Sequence, residues 1–227
     1  MPSDMAGLPA PPLLDPTALV IVLAGTMLAT AARCGWHDLR AAAIALARLA
    51  RSDFDEAANR AAMARTLHAI EKAGFRAVEE PPPPDPALAT LVESFLRHGS
   101  TDLLHSLRRS GRAAREIARM QAVRTFEHAG ELAPMFGLVG TLFAITQIAP
   151  IAAAGPVETT MGAIATAVLS SLYGVLSAHF VYIPLARAIE RQGEREEAAR
   201  EALVEWLDTH LHSMRIETNH DPTKAAA

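Results

Sequence analysis

Two long stretches without a formally charged side chain place the strongest constraint on this sequence. They cover residues 132–154 and 159–186, which are 23 and 28 residues long. A helix rises about 1.5 Å per residue, so about 20 apolar residues cross a hydrocarbon core about 30 Å thick. Both stretches are therefore long enough to span a membrane. The segment between them, residues 155–158, begins with Gly155 and Pro156 and predicts a tight turn.

A third apolar run, residues 17–33, is short for a span, and a buried core helix is its alternative interpretation. The distribution of basic residues favours a span. All 21 Lys and Arg residues lie between residues 33 and 124 or from residue 187 onward. Because Lys and Arg concentrate on the cytoplasmic side of a membrane, three spans place residues 1–16 outside and the carboxyl terminus inside.

The remaining segments predict helices outside the membrane. Residues 34–131 form a cytoplasmic helical domain interrupted by the proline-rich stretch EEPPPPD, and residues 187–227 form an amphipathic helical tail with a disordered end. Strand-like alternation is hard to find. The predicted fold class is an all-α membrane protein with three transmembrane helices and long cytoplasmic helical extensions.

The composition argues against several functional classes. The mild net charge of -4 argues against nucleic acid as a partner. Cys34 is the single cysteine, so an intramolecular disulfide is excluded and no metal-ligand spacing is present. No nucleophile–base pair, phosphate loop or HExxH motif occurs, so we assign no catalytic residue, metal or cofactor and expect no enzyme.

Small and hydroxyl-bearing residues recur at helical spacing within the two long spans. Such residues allow close helix packing and interhelical hydrogen bonds in lipid. Because the small faces are too wide for a lone hairpin to cover, we expect a homo-oligomer around a central partner. Ser and Thr hydroxyls also bond back to their own helix, so packing and an ion pathway both stay open at this point. The glycines predicted to pack helices are Gly137, Gly140, Gly162 and Gly174, and the hydroxyl residues are Thr141, Thr166, Ser170 and Ser171.

Three further residues in the spans have both a structural and a functional interpretation. Pro134 and Pro184 bracket the hairpin, and each frees a backbone carbonyl and permits a bend or a helix end. His179 is the one imidazole within a span, and packing near the inner interface is its alternative role. No Asp or Glu lies within residues 17–33, 132–154 or 159–186. A proton or sodium path would therefore need a carboxylate from another chain.

Three motifs resemble the MotA/TolQ/ExbB proton channel family. The stretch APMFGLVGTLFAI, residues 133–145, resembles the third span of MotA and the corresponding motif of ExbB and TolQ. AVLSSLYGVLSAHFVYIPLA, residues 167–186, resembles the last span of MotA-type proteins, and DPTALVIVLAGTMLATAARCGWHDL, residues 15–39, resembles MotA's second span and the helix after it. The resemblance covers all three spans.

The resemblance implies an inner-membrane channel subunit that converts an ion-motive force, from protons or sodium, into mechanical work. It implies a pentamer around a dimer of single-span partners of the MotB, ExbD or TolR type, each carrying a membrane Asp. By motif position, Thr141 matches the hydroxyl residue that lines the ion path, and Ser171 matches a second one. Pro134 and Pro184 match the two prolines that couple conformation to ion flow.

The layout departs from MotA in ways that leave the machine open. MotA has four spans, whereas this sequence has the three-span layout of ExbB and TolQ. The alternative function is a non-conducting scaffold of the same fold, and the machine served could be a flagellar stator, an outer-membrane energising system or another motor. Candidates for rotor contact, for which a solvated helix face is the alternative, are Arg108, Arg109, Arg112, Arg115 and Glu116.

Overall fold

The structure is a computed structural model that describes residues 15–51, 54–73, 80–98, 101–152 and 157–220. All regular structure in these residues is helical, and no strand occurs among them, which confirms the predicted all-α fold class. The helices are α1 (Pro16–Arg51), α2 (Glu56–Ala73), α3 (Pro86–His98), α4 (Thr101–Ala152), α5 (Val157–Leu176), a π-helical turn (Ser177–Tyr182) and α6 (Ile183–His220).

Three of the described helical segments are long and apolar enough to cross a membrane. They are Pro16–Arg51, Leu103–Gln147 and Met161–Leu211, in agreement with the three predicted spans. Many of their large apolar side chains are exposed in the single chain, as expected for surfaces that contact lipid or other helices. The most exposed include Val20, Met27, Leu28, Leu138, Leu142, Met161, Val168 and Phe180.

A break in α1 lies at the end of its apolar segment. Gly35 has φ 80° and ψ 167°, a conformation that glycine adopts because it lacks a Cβ. Residues 16–34 rise about 28 Å as a helix, which matches the thickness of a hydrocarbon core. This helical segment begins at Pro16, directly after Asp15, and contains the apolar residues of the predicted span, 17–33.

The chain divides into two compact units. The membrane unit comprises the described residues of 1–46 and 120–189. Its helices pack through small residues, since Ala122, Ala129, Ala133 and Ala144 on α4 are buried. On α1 the buried row is Ala18, Val22, Thr26 and Thr30, one residue per turn. The hydroxyls of Thr26 and Thr30 donate to backbone carbonyls one turn back, so their burial leaves no unpaired donor.

The extramembrane unit comprises the described residues of 47–119 and 190–227. Its core contains leucines with Met63, Val92, Phe95 and Val204, drawn from α2, α3, the start of α4 and the end of α6. Asp85 caps α3 by accepting the backbone N–H groups of Ala87 and Leu88. This apolar core explains why the segments outside the spans carry leucines at helical spacing.

Candidate ion pathway

The hydroxyls of Thr141, Ser170 and Ser171 meet between α4 and α5. Thr141 Oγ1 lies 2.7 Å from Ser171 Oγ and 3.3 Å from Ser170 Oγ. It also lies within hydrogen-bond distance of two backbone carbonyls, 3.1 Å from that of Gly137 and 3.0 Å from that of Ala167. Three of the four hydroxyl residues predicted from the sequence are thus brought into one cluster, which we call the hydroxyl cluster.

The hydroxyl cluster has more acceptors than hydrogens. A hydroxyl carries one hydrogen and two lone pairs, so Thr141 can donate to one of its four neighbours at a time. The other oxygens then present lone pairs to any cation or proton that reaches the cluster. Hydroxyl and carbonyl oxygens in this arrangement can replace part of an ion's hydration shell.

Close backbone contact between α4 and α5 makes the cluster possible. A Cβ added to Gly174 would lie 2.6 Å from the carbonyl oxygen of Ala133 and 3.0 Å from the Cα of Gly137. A Cβ added to Gly140 would lie 2.8 Å from the Cβ of Ser170. These glycines let the two backbones approach until short serine and threonine side chains touch. Gly162 differs, because a Cβ there would meet no atom of the described chain within 4 Å.

Thr166 is placed apart from the hydroxyl cluster and bonds to a residue that the sequence analysis did not assign to the site. Its hydroxyl donates to Asp15 Oδ2 over 2.6 Å. The backbone N–H of Asp15 donates in turn to the Tyr173 hydroxyl over 3.0 Å. The sequence signal was present in Asp15–Pro16–Thr17, a helix-capping residue followed by proline at the first helical position. What it could not indicate was the contact with α5, 151 residues away.

The two predicted coupling prolines lie in different backbone settings. Pro134 lies within the continuous helix α4, whereas Pro184 is the second residue of α6, just after the π-helical turn. The backbone N–H of Ile183 donates to the Ala178 carbonyl, a five-residue spacing that is wider than in an α-helix. Proline offers no N–H for the next bond, so the helix is locally loosened at Pro184. His179 lies in the π-helical turn and is exposed in the single chain.

Three of the candidate rotor-contact arginines are ion-paired within the extramembrane unit. Arg108 and Arg112 each contact the Glu201 carboxylate, at 2.9 and 2.7 Å, and Arg115 contacts Glu197 at 2.8 Å. Burial alone would raise the pKa of Glu197, but the hydrogen bond and charge of Arg115, with nearby arginines, outweigh burial and lower it. These side chains connect α4 to α6 within that unit.

Comparison with known proteins gives a family match and two relatives of this chain. Residues 86–202, just over half of the chain, match the profile of the MotA/TolQ/ExbB proton channel family. The uncharacterized protein YtxD of Bacillus subtilis (strain 168) is 33% identical over 95 residues, or 42% of this chain and 34% of the relative. The chemotaxis protein PomA of Vibrio alginolyticus is 22% identical over 139 residues, or 61% of this chain and 54% of the relative. The matched regions thus cover about a third and about half of these two relatives.

Two solved structures share the fold. The chain superposes on the MotAB structure of C. jejuni with a TM-score of 0.73 and 14% identity, covering 87% of this chain and 78% of that one. It superposes on the flagellar MotAB stator complex from Bacillus subtilis with a TM-score of 0.68 and 17% identity, covering 85% of this chain and 76% of that one. At these identities the likeness shows a common fold.

Proposed function

The chain belongs to the MotA/TolQ/ExbB proton channel family and is a multi-pass inner-membrane protein, and on that premise we propose that it conducts ions as a subunit of a force-generating complex. The transported ion is a proton, and ion flow is coupled to mechanical work. The observation that carries the proposal is the hydroxyl cluster of Thr141, Ser170 and Ser171 at the interface of α4 and α5. The family is one of channel and stator subunits rather than of enzymes.

The charge pattern supports a cation as the transported species. No Lys or Arg occurs in residues 125–186, so no permanently cationic side chain of this segment repels a cation at the cluster. Among the described residues, no carboxylate contacts the three hydroxyls. A cation crossing hydrocarbon needs a compensating negative charge because an unpaired charge there is costly. We therefore assign that charge to a partner protein.

The partner we propose is a dimer of single-span chains of the MotB, ExbD or TolR type, each with an Asp in its membrane helix. Five copies of the present chain surround that dimer. The C. jejuni and Bacillus subtilis structures that share this fold are MotAB complexes, which supports a partner of this type. In this arrangement the partner's Asp lies beside the hydroxyl cluster and accepts the ion there. Pro134 and Pro184 then let the helices respond to the change in charge.

The proposed orientation follows the basic residues. All Lys and Arg lie in residues 33–124 or from residue 187 onward, which supports a cytoplasmic position for these regions. The start of α1, the end of α4 and the start of α5 then face the periplasm. Ions enter from that side and leave near the π-helical turn.

The experiment is ion flux in vesicles that contain this chain co-purified with the single-span protein encoded beside it. We expect proton uptake by the complex and none by the present chain alone. Replacing Thr141 with Val removes the central hydroxyl while keeping the side chain's shape. It should reduce flux at least tenfold, because a hydrogen bond to a charged group contributes about 1.5–3 kcal/mol.

Thr125→Val is the matched control for Thr141→Val. Thr125 is also on α4, is buried, and its hydroxyl donates to the Gln121 carbonyl one turn back. We expect this variant to conduct like the wild type. Normal flux through Thr141→Val would contradict the assigned ion path. An assembled wild-type complex that conducts neither protons nor sodium would instead favour the non-conducting scaffold.

A further inference from the structure

The two carboxylate oxygens of Asp15 have different partners. Oδ1 accepts the backbone N–H groups of Thr17 and Ala18, at 2.9 and 3.3 Å, and so caps the start of α1. Oδ2 accepts the hydroxyl of Thr166 on α5 over 2.6 Å. Capping therefore accounts for one oxygen only, and the second oxygen is used for a contact between two spans.

Asp15 is held against α5 at two points. Besides the bond from Thr166, the Tyr173 hydroxyl accepts the backbone N–H of Asp15 over 3.0 Å. Thr166 and Tyr173 are seven residues apart, about two helical turns, and so lie on the same face of α5. The carboxylate is fixed against that face because its backbone and its side chain are both bonded there.

The bond to Asp15 determines what the Thr166 hydroxyl can do. An O–H group bonded to a carboxylate at 2.5–2.7 Å is in the range of a strong, charge-assisted hydrogen bond. With its single hydrogen committed to Asp15, the Thr166 oxygen presents only lone pairs to any other group. Thr166 lies one turn before Ser170 on the same face of α5. An ion that enters from the proposed periplasmic side therefore reaches Thr166 before the hydroxyl cluster.

We propose that Asp15 is a positioning residue that holds Thr166 as a fixed hydrogen-bond acceptor for the incoming cation. The inference rests on the proposed ion-conducting function and extends the ion path outward from the hydroxyl cluster. An oriented acceptor stabilises a partly dehydrated cation better than a hydroxyl that must first rotate. Asp15 therefore does not contact the ion itself, and acts by orienting the hydroxyl of Thr166.

The charges around Asp15 favour donation of the Thr166 hydrogen to its carboxylate. No Lys or Arg occurs in residues 1–32 or 125–186, and among the described residues no cationic side chain contacts the carboxylate. A guanidinium or ammonium group would compete with Thr166 for Oδ2. Without such a competitor, Thr166 keeps its bond to Oδ2, and the Thr17 side chain adds a weaker hydrogen bond to the same carboxylate.

Asp15→Asn reverses the hydrogen bond while it retains the helix cap. Asn caps helices about as well as Asp, so its amide oxygen can still accept the backbone N–H groups of α1. Its amide NH₂ would donate to Thr166, which frees the threonine hydrogen to point toward the incoming cation. In vesicles containing the complex with its single-span partner, we expect the half-saturating proton or sodium concentration to rise about fivefold, the factor for one hydrogen bond of about 1 kcal/mol. Maximal flux should stay unchanged.

Two variants of Thr166 test whether Asp15 acts through this residue. Thr166→Val should raise the half-saturating concentration by a similar factor, whereas Thr166→Ser keeps the hydroxyl and should resemble the wild type. Combining Asp15→Asn with Thr166→Val should have no greater effect than Thr166→Val alone, because both remove the same oriented acceptor. Effects that multiply in the double variant would overturn the proposal.

Asp55→Asn is the matched control for the cap. Asp55 Oδ1 accepts the backbone N–H of Ala58 over 3.0 Å at the start of α2, in the extramembrane unit. This variant should leave flux unchanged. An unaltered half-saturating concentration in Asp15→Asn, or loss of assembly in Asp15→Asn together with normal flux in Thr166→Val, would overturn the role of Asp15. Absence of flux in the wild-type complex would instead refute the proposed function.

Discussion

Replacing Gly174 with Ala adds one methyl group at the point where α4 and α5 are closest. The new Cβ would lie 2.6 Å from the Ala133 carbonyl oxygen and 3.0 Å from the Gly137 Cα, whereas ordinary contacts begin at 3.4 Å. Both neighbours are backbone atoms, so no side-chain rotation relieves the clash. The helices must therefore separate by about 0.8 Å at this point. Overpacking of this kind costs about 1–3 kcal/mol.

The separation reaches the hydroxyl cluster because the same two helices carry it. Ser171 lies three residues before Gly174 and bonds to Thr141 over 2.7 Å. An added separation of about 0.8 Å along that line takes the O–H···O distance beyond the upper limit of about 3.0 Å. We expect Gly174→Ala to lower the thermal stability of the detergent-solubilised complex and to reduce ion flux in vesicles.

Gly162→Ala is the matched control on the same helix. It makes the same chemical change and gains the same helix propensity, but its Cβ would meet no atom of the described chain within 4 Å. Thermal unfolding followed by circular dichroism, with flux measured on the same preparations, compares the two variants. If Gly174→Ala is as stable and as conductive as Gly162→Ala, the proposed dependence of the cluster on close backbone contact is wrong.

Two further predictions concern the extramembrane unit. Arg200→Met leaves the Asp85 carboxylate, 6% exposed and 2.8 Å from the arginine, without its charged partner, and should cost about 3–5 kcal/mol in urea unfolding. Arg97→Met, whose side chain is 70% exposed, should cost less than about 1 kcal/mol. The lowered pKa of Glu197 predicts a contribution to stability that is complete above its ordinary value of 4.5 and is lost as pH falls through the lower folded-state pKa. The free energy of unfolding of Glu197→Gln should therefore fall less than that of the wild type when the pH drops below 4.5. The same pH dependence in both proteins would contradict this assignment.

The spans and the helix packing could be predicted because they depend on local periodicity. An apolar run long enough to cross a bilayer has one stable backbone conformation in lipid, since every N–H and C=O must be paired within the segment. Spacing of three and four residues then identifies a helix face. Thr141, Ser170 and Ser171 were candidates on that basis, and the structure brings both serine hydroxyls within 3.3 Å of the Thr141 hydroxyl.

Contacts between distant segments could not be predicted in the same way. The Asp15–Pro16 pair carries a local capping signal, but the bond of Asp15 to Thr166 joins positions 151 residues apart. Arg108, Arg112 and Arg115 fit a solvated helix face, yet their carboxylate partners on α6 lie 82–93 residues away. No local pattern encodes such pairings, because they depend on how whole helices are placed.

By itself the sequence determined that this protein has three bilayer-crossing helices, a charge-free hairpin and hydroxyls at helical spacing. An apolar segment of this length crosses the bilayer, and it must be helical there because its backbone N–H and C=O groups can only pair with each other. The tertiary structure alone decided which hydroxyls meet, since Gly137 and Gly174 set the distance between α4 and α5. It also decided that Thr166 donates to a carboxylate, because a hydroxyl takes its direction from its nearest acceptor.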